Sequence, residues 1–210
     1  VSFEEICEAV SLGIYVNIDS VSNLEKFGAK FGKSYPVGVR VRPNIMAGGN
    51  LKISTGHDKS KFGIPVSELA ALKAIQAKYN IQISTLHIHT GSEIKDVKVF
   101  LQSADVFEQL LAHFPTVTVL DFGGGFKVPY QPEEKGTDMA LLGSEVNKVV
   151  AKLSEQFGRT FTAWFEPGKY IVSEAGYFIA TVNVMKQSGD IKFAGLDTGL
   201  NHLIRPMFYD

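Results

Sequence analysis

The chain has 210 residues, 45% of them hydrophobic and 20% charged, with a formal net charge of −1. Such a composition supports a globular fold with a sizeable core, and the balanced charge leaves no electrostatic footprint for nucleic acid or an anionic membrane. The single cysteine, Cys7, excludes an internal disulfide and fits a reducing, cytoplasmic setting, and no apolar run is long enough to span a bilayer as a helix.

The first residues, Val1-Ser2-Phe3-Glu4-Glu5-Ile6, read as the acidic entrance of a helix rather than as a signal peptide. Ser2 and Glu5 form a capping-box pattern ahead of Ile6, Ala9 and Val10, and Gly13 is the expected stop. Cys7 is expected to be buried on that helix in a structural role. A strand is predicted over 14–19, and Ser22 with Glu25 repeats the capping pattern before a second helix. Further strands are predicted over Val37–Arg42, 84–89, 117–122 and 161–166. Between them, Leu69, Leu72, Ile75 and Tyr79 share one helix face. Val97, Phe100, Leu101, Ala104, Phe107 and Leu111 share another, ended by Pro115. Leu142, Val146, Val149, Val150, Leu153 and Phe157 make a third. These stripes are core faces.

A strand followed by a helix, repeated, implies parallel strands with crossover helices. Either a barrel or an open doubly wound sheet satisfies that pattern. Every predicted strand ends in a polar or glycine group: Asn17-Ile18-Asp19-Ser20, Arg40-Val41-Arg42-Pro43, His87-Ile88-His89, Asp121-Phe122-Gly123-Gly124-Gly125 and Glu166-Pro167-Gly168. In a barrel all such ends converge on one face, whereas in an open sheet only those at the switch point meet. The expected fold is therefore α/β, a portion of a (β/α)8 barrel over 1–171. After it the pattern changes. Strands over 177–185 and 192–197, with Gly189-Asp190 as a turn, mark the beginning of a C-terminal all-β domain over 172–210. Five strands do not close an eight-stranded barrel, so the chain is expected to be a fragment, poorly soluble if expressed alone.

Gly123-Gly124-Gly125 after a strand is either a tight turn or a place where backbone N–H groups approach a phosphate. The G-x-G-x-x-G spacing of a dinucleotide site is absent. In barrels, phosphate sites form from the loops after the last strands, which favours the phosphate here. Glu166 follows Trp164 and Phe165; a carboxylate beside such walls pairs with a neighbouring Lys or with a cationic ligand group such as a protonated ring nitrogen. His87 and His89 alternate on one strand and face one side. With Asp121 and Glu166 they offer a minor metal-site reading, but a structural role is preferred for His87, a ligand-facing role for His89, and no metal is expected. Arg205, among apolar neighbours, is paired internally or aimed at an anion. The segment Thr55-Gly56-His57-Asp58-Lys59-Ser60-Lys61-Phe62-Gly63 reads more as a solvated connector than as a site. No nucleophile elbow is present, so hydrolase readings are weak.

His89-Thr90-Gly91-Ser92, Gly123-Gly124-Gly125, Glu166-Pro167-Gly168-Lys169 and Asp197-Thr198-Gly199-Leu200-Asn201-His202-Leu203-Ile204-Arg205-Pro206 occur in that order. Together they resemble the alanine-racemase-like, fold-type-III pyridoxal-phosphate decarboxylases, and the Leu-Ile-Arg-Pro run with Tyr209 resembles their diaminopimelate branch. The resemblance covers nearly the whole chain. It implies pyridoxal 5'-phosphate as cofactor, with His89 stacked on its ring and Ser92, Gly123, Gly124, Gly125, Pro167 and Gly168 around its phosphate. Glu166 would pair with the pyridine nitrogen, and Lys169 would lie beside the cofactor. Lys169, Arg205 and Tyr209 would contact the substrate, meso-diaminopimelate, which would be decarboxylated to lysine. It also implies a homodimer with a shared active site. The Schiff-base lysine would lie upstream of Val1 and a cysteine-glutamate motif beyond Asp210, so no catalytic residue is assignable within the chain. Lys169 stands where the family usually has Arg, and Thr90 and Glu93 stand where Ile and Gln are usual; Glu93 adds negative charge near the phosphate site unless it turns away. Rival readings are a carboxynorspermidine, ornithine or arginine decarboxylase, a non-catalytic cofactor-binding relative, and a phosphate-binding barrel without the pyridoxal cofactor.

Overall fold

The structure, a computed structural model, describes residues 1–45, 47, 54–57 and 60–209. It divides into two units, Val1–Ile171 and Val172–Asp210.

In the first unit, strands β1 (Asn17–Ile18), β2 (Val37–Arg42), β4 (Ile83–His87), β5 (Val119–Asp121) and β6 (Thr162–Trp164) form one parallel sheet in that spatial order, with the short β3 (Ile64–Pro65) beside β2. Apart from β3, each strand lies next to its neighbour in sequence, and the order never reverses. An open doubly wound sheet would reverse at its switch point; an unbroken order is that of consecutive β/α units in a barrel wall. Strand β2 has the predicted bounds, β4 begins one residue before its predicted run and ends at His87, and β1, β5 and β6 are shorter than their apolar runs.

The helices follow their apolar stripes. In α1 (Phe3–Ser11) the capping box is complete: the Glu5 N–H donates to Ser2 Oγ at 3.2 Å and the Ser2 N–H to Glu5 Oε2 at 2.6 Å. Cys7 on this helix is only half-buried, because the buried stripe runs through Ile6. The second capping box does not form. Helix α2 (Val21–Phe31) starts two residues earlier than that pattern requires, with Ser20 at its cap, and Glu25 instead pairs with Lys78 at 2.9 Å. Lys78 belongs to α3 (Leu69–Tyr79), whose Leu72 and Ile75 are buried. Gly28 lets α2 approach the end of α3 closely: a Cβ there would lie 2.7 Å from the Ile81 side chain and 2.8 Å from that of Tyr79.

Helix α4 (Lys98–Leu111) buries Phe100, Ala104, Phe107, Leu110 and Leu111, and stops short of Pro115. Helix α5 (Met139–Phe157) is capped by Asp138, whose carboxylate takes the Leu141 N–H at 2.9 Å, and buries Leu142, Val146 and Leu153. Just after α5, the Arg159 guanidinium donates to the carbonyls of Leu111, Phe114 and Pro115, tying the end of α4 to α5. Phe27, Phe100, Phe107, Phe114, Phe122 and Phe126 lie fully buried between sheet and helices. No helix among the described residues is long and apolar enough to cross a membrane.

The second unit, entered through the short α6 (Gly168–Val172), holds an antiparallel hairpin, β7 (Val182–Ser188) and β8 (Ile191–Leu196), and a short helix α7 (Arg205–Tyr209). Ser188 pairs with Ile191, so the turn has two residues, and Gly189 takes the positive φ of 59° that such a turn demands. Asp197 closes the base of the hairpin by accepting the Thr181 N–H at 2.9 Å.

Candidate functional site

The register of the parallel sheet builds the site. Arg40 is opposite His87, His87 opposite Asp121, and Asp121 opposite Trp164. One layer across four adjacent strands therefore carries a guanidinium, an imidazole and a carboxylate. One residue pair later the chain leaves the sheet: His89 follows β4, Gly123 follows β5 and Glu166 follows β6.

The three glycines close these ends against one another. A Cβ on Gly124 would lie 2.0 Å from the Glu166 carbonyl oxygen, and one on Gly125 would lie 1.9 Å from that of Gly91. Gly123 and Gly125 also hold φ values of +67° and +92°, which side-chain-bearing residues rarely adopt. The triplet is thus required by close packing of three strand ends, and that packing draws Ser92, Glu166 and Gly168 together. Ser92, Gly125, Gly168 and Lys169 line one cavity of about 190 Å³ with His89 and Glu166. Glu166 also lines a second cavity, of about 430 Å³, with Asn17, Asp19, Arg40 and His87.

His89 is fixed by the Gly124 N–H, which donates to its Nδ1 at 3.1 Å. Burial, with Arg40 and His87 nearby, brings its pKa down to about 4. Its ring is thus a neutral, oriented plane at neutral pH, suited to stacking rather than to charge. Glu166 is half-exposed, and the flanking Trp164 and Phe165 are themselves 43% and 36% exposed. Its partner is an imidazole rather than a lysine: His87 Nε2 stands 3.6 Å from Glu166 Oε1. That neighbour outweighs partial burial and holds the Glu166 carboxyl below its usual range. Asp121 is buried and accepts the Gly123 N–H at 2.9 Å; burial first, then the nearby Glu166 charge, push its carboxyl up.

Glu93 does not line the smaller cavity. At a φ of +59° it reaches Lys169 through Oε1 and Lys127 through Oε2, the latter at 3.6 Å, while Tyr130 donates to Oε1 at 3.0 Å. Burial acts against its ionisation, but the bonds from Lys169 and Tyr130 prevail and keep it below the usual range. The Lys169 ammonium is held up by the same bonds, against burial that would lower it. The negative charge added by Glu93 is therefore matched by lysines beside it.

The loop expected to be a solvated connector is a supporting element over its described part. The Thr55 and Gly56 N–H groups donate to the Thr90 carbonyl at 2.8 and 3.0 Å, and the Thr55 hydroxyl donates to that of His89 at 2.9 Å. Ser54, Gly56 and Ser60 are buried. Polar composition suggested solvent, whereas these polar groups are spent on the backbone of the His89–Gly91 turn. Asp58 and Lys59 lie outside the described residues. Arg205 opens α7 and Tyr209 closes it, in the second unit; the Tyr209 side chain lies outside the described set.

A family model described as pyridoxal-dependent decarboxylase, pyridoxal binding domain, matches residues 2–173. Diaminopimelate decarboxylase of Methanothermobacter thermautotrophicus is 32% identical over 213 residues, covering 98% of this chain and 49% of that protein. The enzyme of the same name from Haemophilus influenzae is 33% identical over 220 residues, covering 100% and 51%. The crystal structure of the Helicobacter pylori diaminopimelate decarboxylase complexed with L-lysine superposes with a TM-score of 0.82 at 28% identity, covering 99% of this chain and 53% of that one. The chain thus spans about half the length of the curated relatives it matches.

Proposed function

The chain belongs to the pyridoxal-dependent decarboxylases, and from that premise we propose that it supplies the cofactor-binding half of an enzyme that removes carbon dioxide from meso-diaminopimelate to give L-lysine. The observation that carries the reading is the meeting of a neutral, fixed imidazole (His89), a glycine triplet and an ionised carboxylate (Glu166) at the ends of three consecutive parallel strands.

The residues fit pyridoxal phosphate. His89 presents an uncharged face to the ring. Ser92, Gly125 and Gly168 border a small cavity in which a phosphate would meet a hydroxyl and backbone without Cβ atoms. Pro167 lines the same cavity, and Gly123 and Gly124 hold the adjoining strand ends close together. Glu166 offers its charge to the pyridine nitrogen. When bound, the protonated ring withdraws the electrons left behind as carbon dioxide departs. The part played by Glu166 is to keep that nitrogen protonated: a carboxylate held below its usual range is charged at neutral pH, and a cationic nitrogen beside it is stabilised.

By the resemblance, Lys169, Arg205 and Tyr209 contact the substrate. Lys169 brings a point charge where a bidentate fork is usual, and part of that charge is already matched by Glu93. The substrate choice rests on the relatives and on the Asn201–Pro206 motif. The same resemblance supports a homodimer with a shared active site, in the cytoplasm. The test is to measure carbon dioxide release by the full-length protein with pyridoxal phosphate from meso-diaminopimelate, ornithine, arginine and carboxynorspermidine in parallel. Release from meso-diaminopimelate alone is expected. Release from another of the four would keep the cofactor and move the specificity; release from none by the folded protein would overturn the proposal.

A further inference from the structure

One ring nitrogen of His87 and one carboxylate oxygen from each of Asp121 and Glu166 lie within 4.8 Å of one another. Asp121 is the fixed member, buried and bonded to the Gly123 N–H. Glu166 is the half-exposed member. His87 lies beside both, 5% exposed, and among the described residues neither of its ring nitrogens has a hydrogen-bond partner. A buried polar group without a partner is costly, and an apolar side chain would fill the same volume without that cost. The nitrogen that faces Glu166 Oε1 is only 3.6 Å away, a few tenths of an ångström beyond hydrogen-bond range.

We propose that His87 is a positioning residue for Glu166: its Nε2–H closes onto one carboxylate oxygen and leaves the other directed at the pyridine nitrogen of the bound cofactor. Asp121, within 4.8 Å of both, completes the device. Burial and the nearby Glu166 push its carboxyl up, while His87 holds that of Glu166 below its usual range, so ionisation is disfavoured at Asp121 and favoured at Glu166, where the ring cation needs it. The proposal rests on the reading of Glu166 given above. It goes beyond that reading by assigning work to His87, whose expected role was structural filling, and to Asp121.

The experiment titrates pyridoxal phosphate into the full-length apoprotein and follows both affinity and the absorption band of the bound cofactor. The variants are His87→Leu, His87→Gln and Glu166→Gln, with the unfolding temperature of each apoprotein measured alongside. His87→Leu is expected to weaken cofactor binding about tenfold, the scale of one charge-assisted hydrogen bond, and to shift the absorption band. Its apoprotein should unfold no lower than wild type, because a buried imidazole without a hydrogen bond is replaced by an apolar side chain. His87→Gln, which places a donor near the Nε2 position, should recover most of the affinity and the band. Unchanged affinity and band in His87→Leu, with Glu166→Gln impaired, would overturn the proposal and leave the Glu166 reading intact. If Glu166→Gln itself changed neither, the Glu166 reading would fail and this inference with it. Stoichiometric zinc uptake by the apoprotein, lost in His87→Leu while cofactor affinity stays unchanged, would also overturn it, making the cluster a metal site.

Discussion

The chemistry of His89 and of the glycine triplet is settled by single atoms. His89 has a pKa near 4 in the folded chain, against an ordinary value of 6.5. Between those limits the unfolded chain binds the proton and the folded one does not. Stability is therefore full above about pH 6.5 and falls as the pH drops toward 4, by up to about 3 kcal/mol from this group. His89→Phe should flatten the pH dependence of the unfolding temperature across that window; an unchanged slope would show that His89 is not the group responsible. Gly124 and Gly168 make a matched pair. A Cβ on Gly124 collides with the Glu166 backbone at 2.0 Å, whereas one on Gly168 meets nothing within 4 Å. Gly124→Ala should thus destabilise the protein, by on the order of 2 kcal/mol or more for a forced backbone shift. Gly168→Ala should leave the unfolding temperature nearly unchanged while weakening cofactor uptake. Equal unfolding temperatures for the two variants would contradict this packing.

At the scale of elements, sequence pattern revealed which segments form strands and helices better than how they meet. Alternation along 84–89 placed His87 and His89 on one side, but it could not show that His87 lies in register with Arg40 and Asp121. Register is a property of pairs of strands, and no single run of residues encodes it. For the same reason the loop through Thr55 and Gly56 read as solvent-facing, because its partners are carbonyls about 35 residues away. The second capping box misled because Ser-x-x-Glu also arises inside helices; there Glu25 found Lys78. The contact of α2 with the end of α3 offers a test at this scale. By helix propensity alone Gly28→Ala should stabilise α2 by about 1 kcal/mol. The added Cβ would meet Ile81 and Tyr79 at under 3 Å, so net destabilisation is expected in urea unfolding. A gain in stability would mean that α2 and α3 pack more loosely than described.

For the molecule as a whole, the barrel character was legible because each strand end carried a functional-looking group, and the unbroken strand order bears it out. The chain spans about half of its relatives' length, and its sheet order ends at β1 and β6, beside an exposed Trp164. The hairpin of the second unit exposes Val184, Met185, Ile191 and Phe193. Apolar surface and strand edges of that kind promote association, so the 210 residues expressed alone should aggregate or bind a hydrophobic dye. A monomeric, cooperatively unfolding fragment would contradict that expectation.

The central claim is that Glu166 holds the cofactor ring protonated while carbon dioxide leaves. It is tested most directly by carbon dioxide release from meso-diaminopimelate in the full-length protein with pyridoxal phosphate, comparing wild type with Glu166→Ala. The account predicts release by wild type and a loss of about a hundredfold or more in the variant, the scale of removing one group that stabilises developing charge. Equal release from both, with the cofactor bound in each, would contradict it.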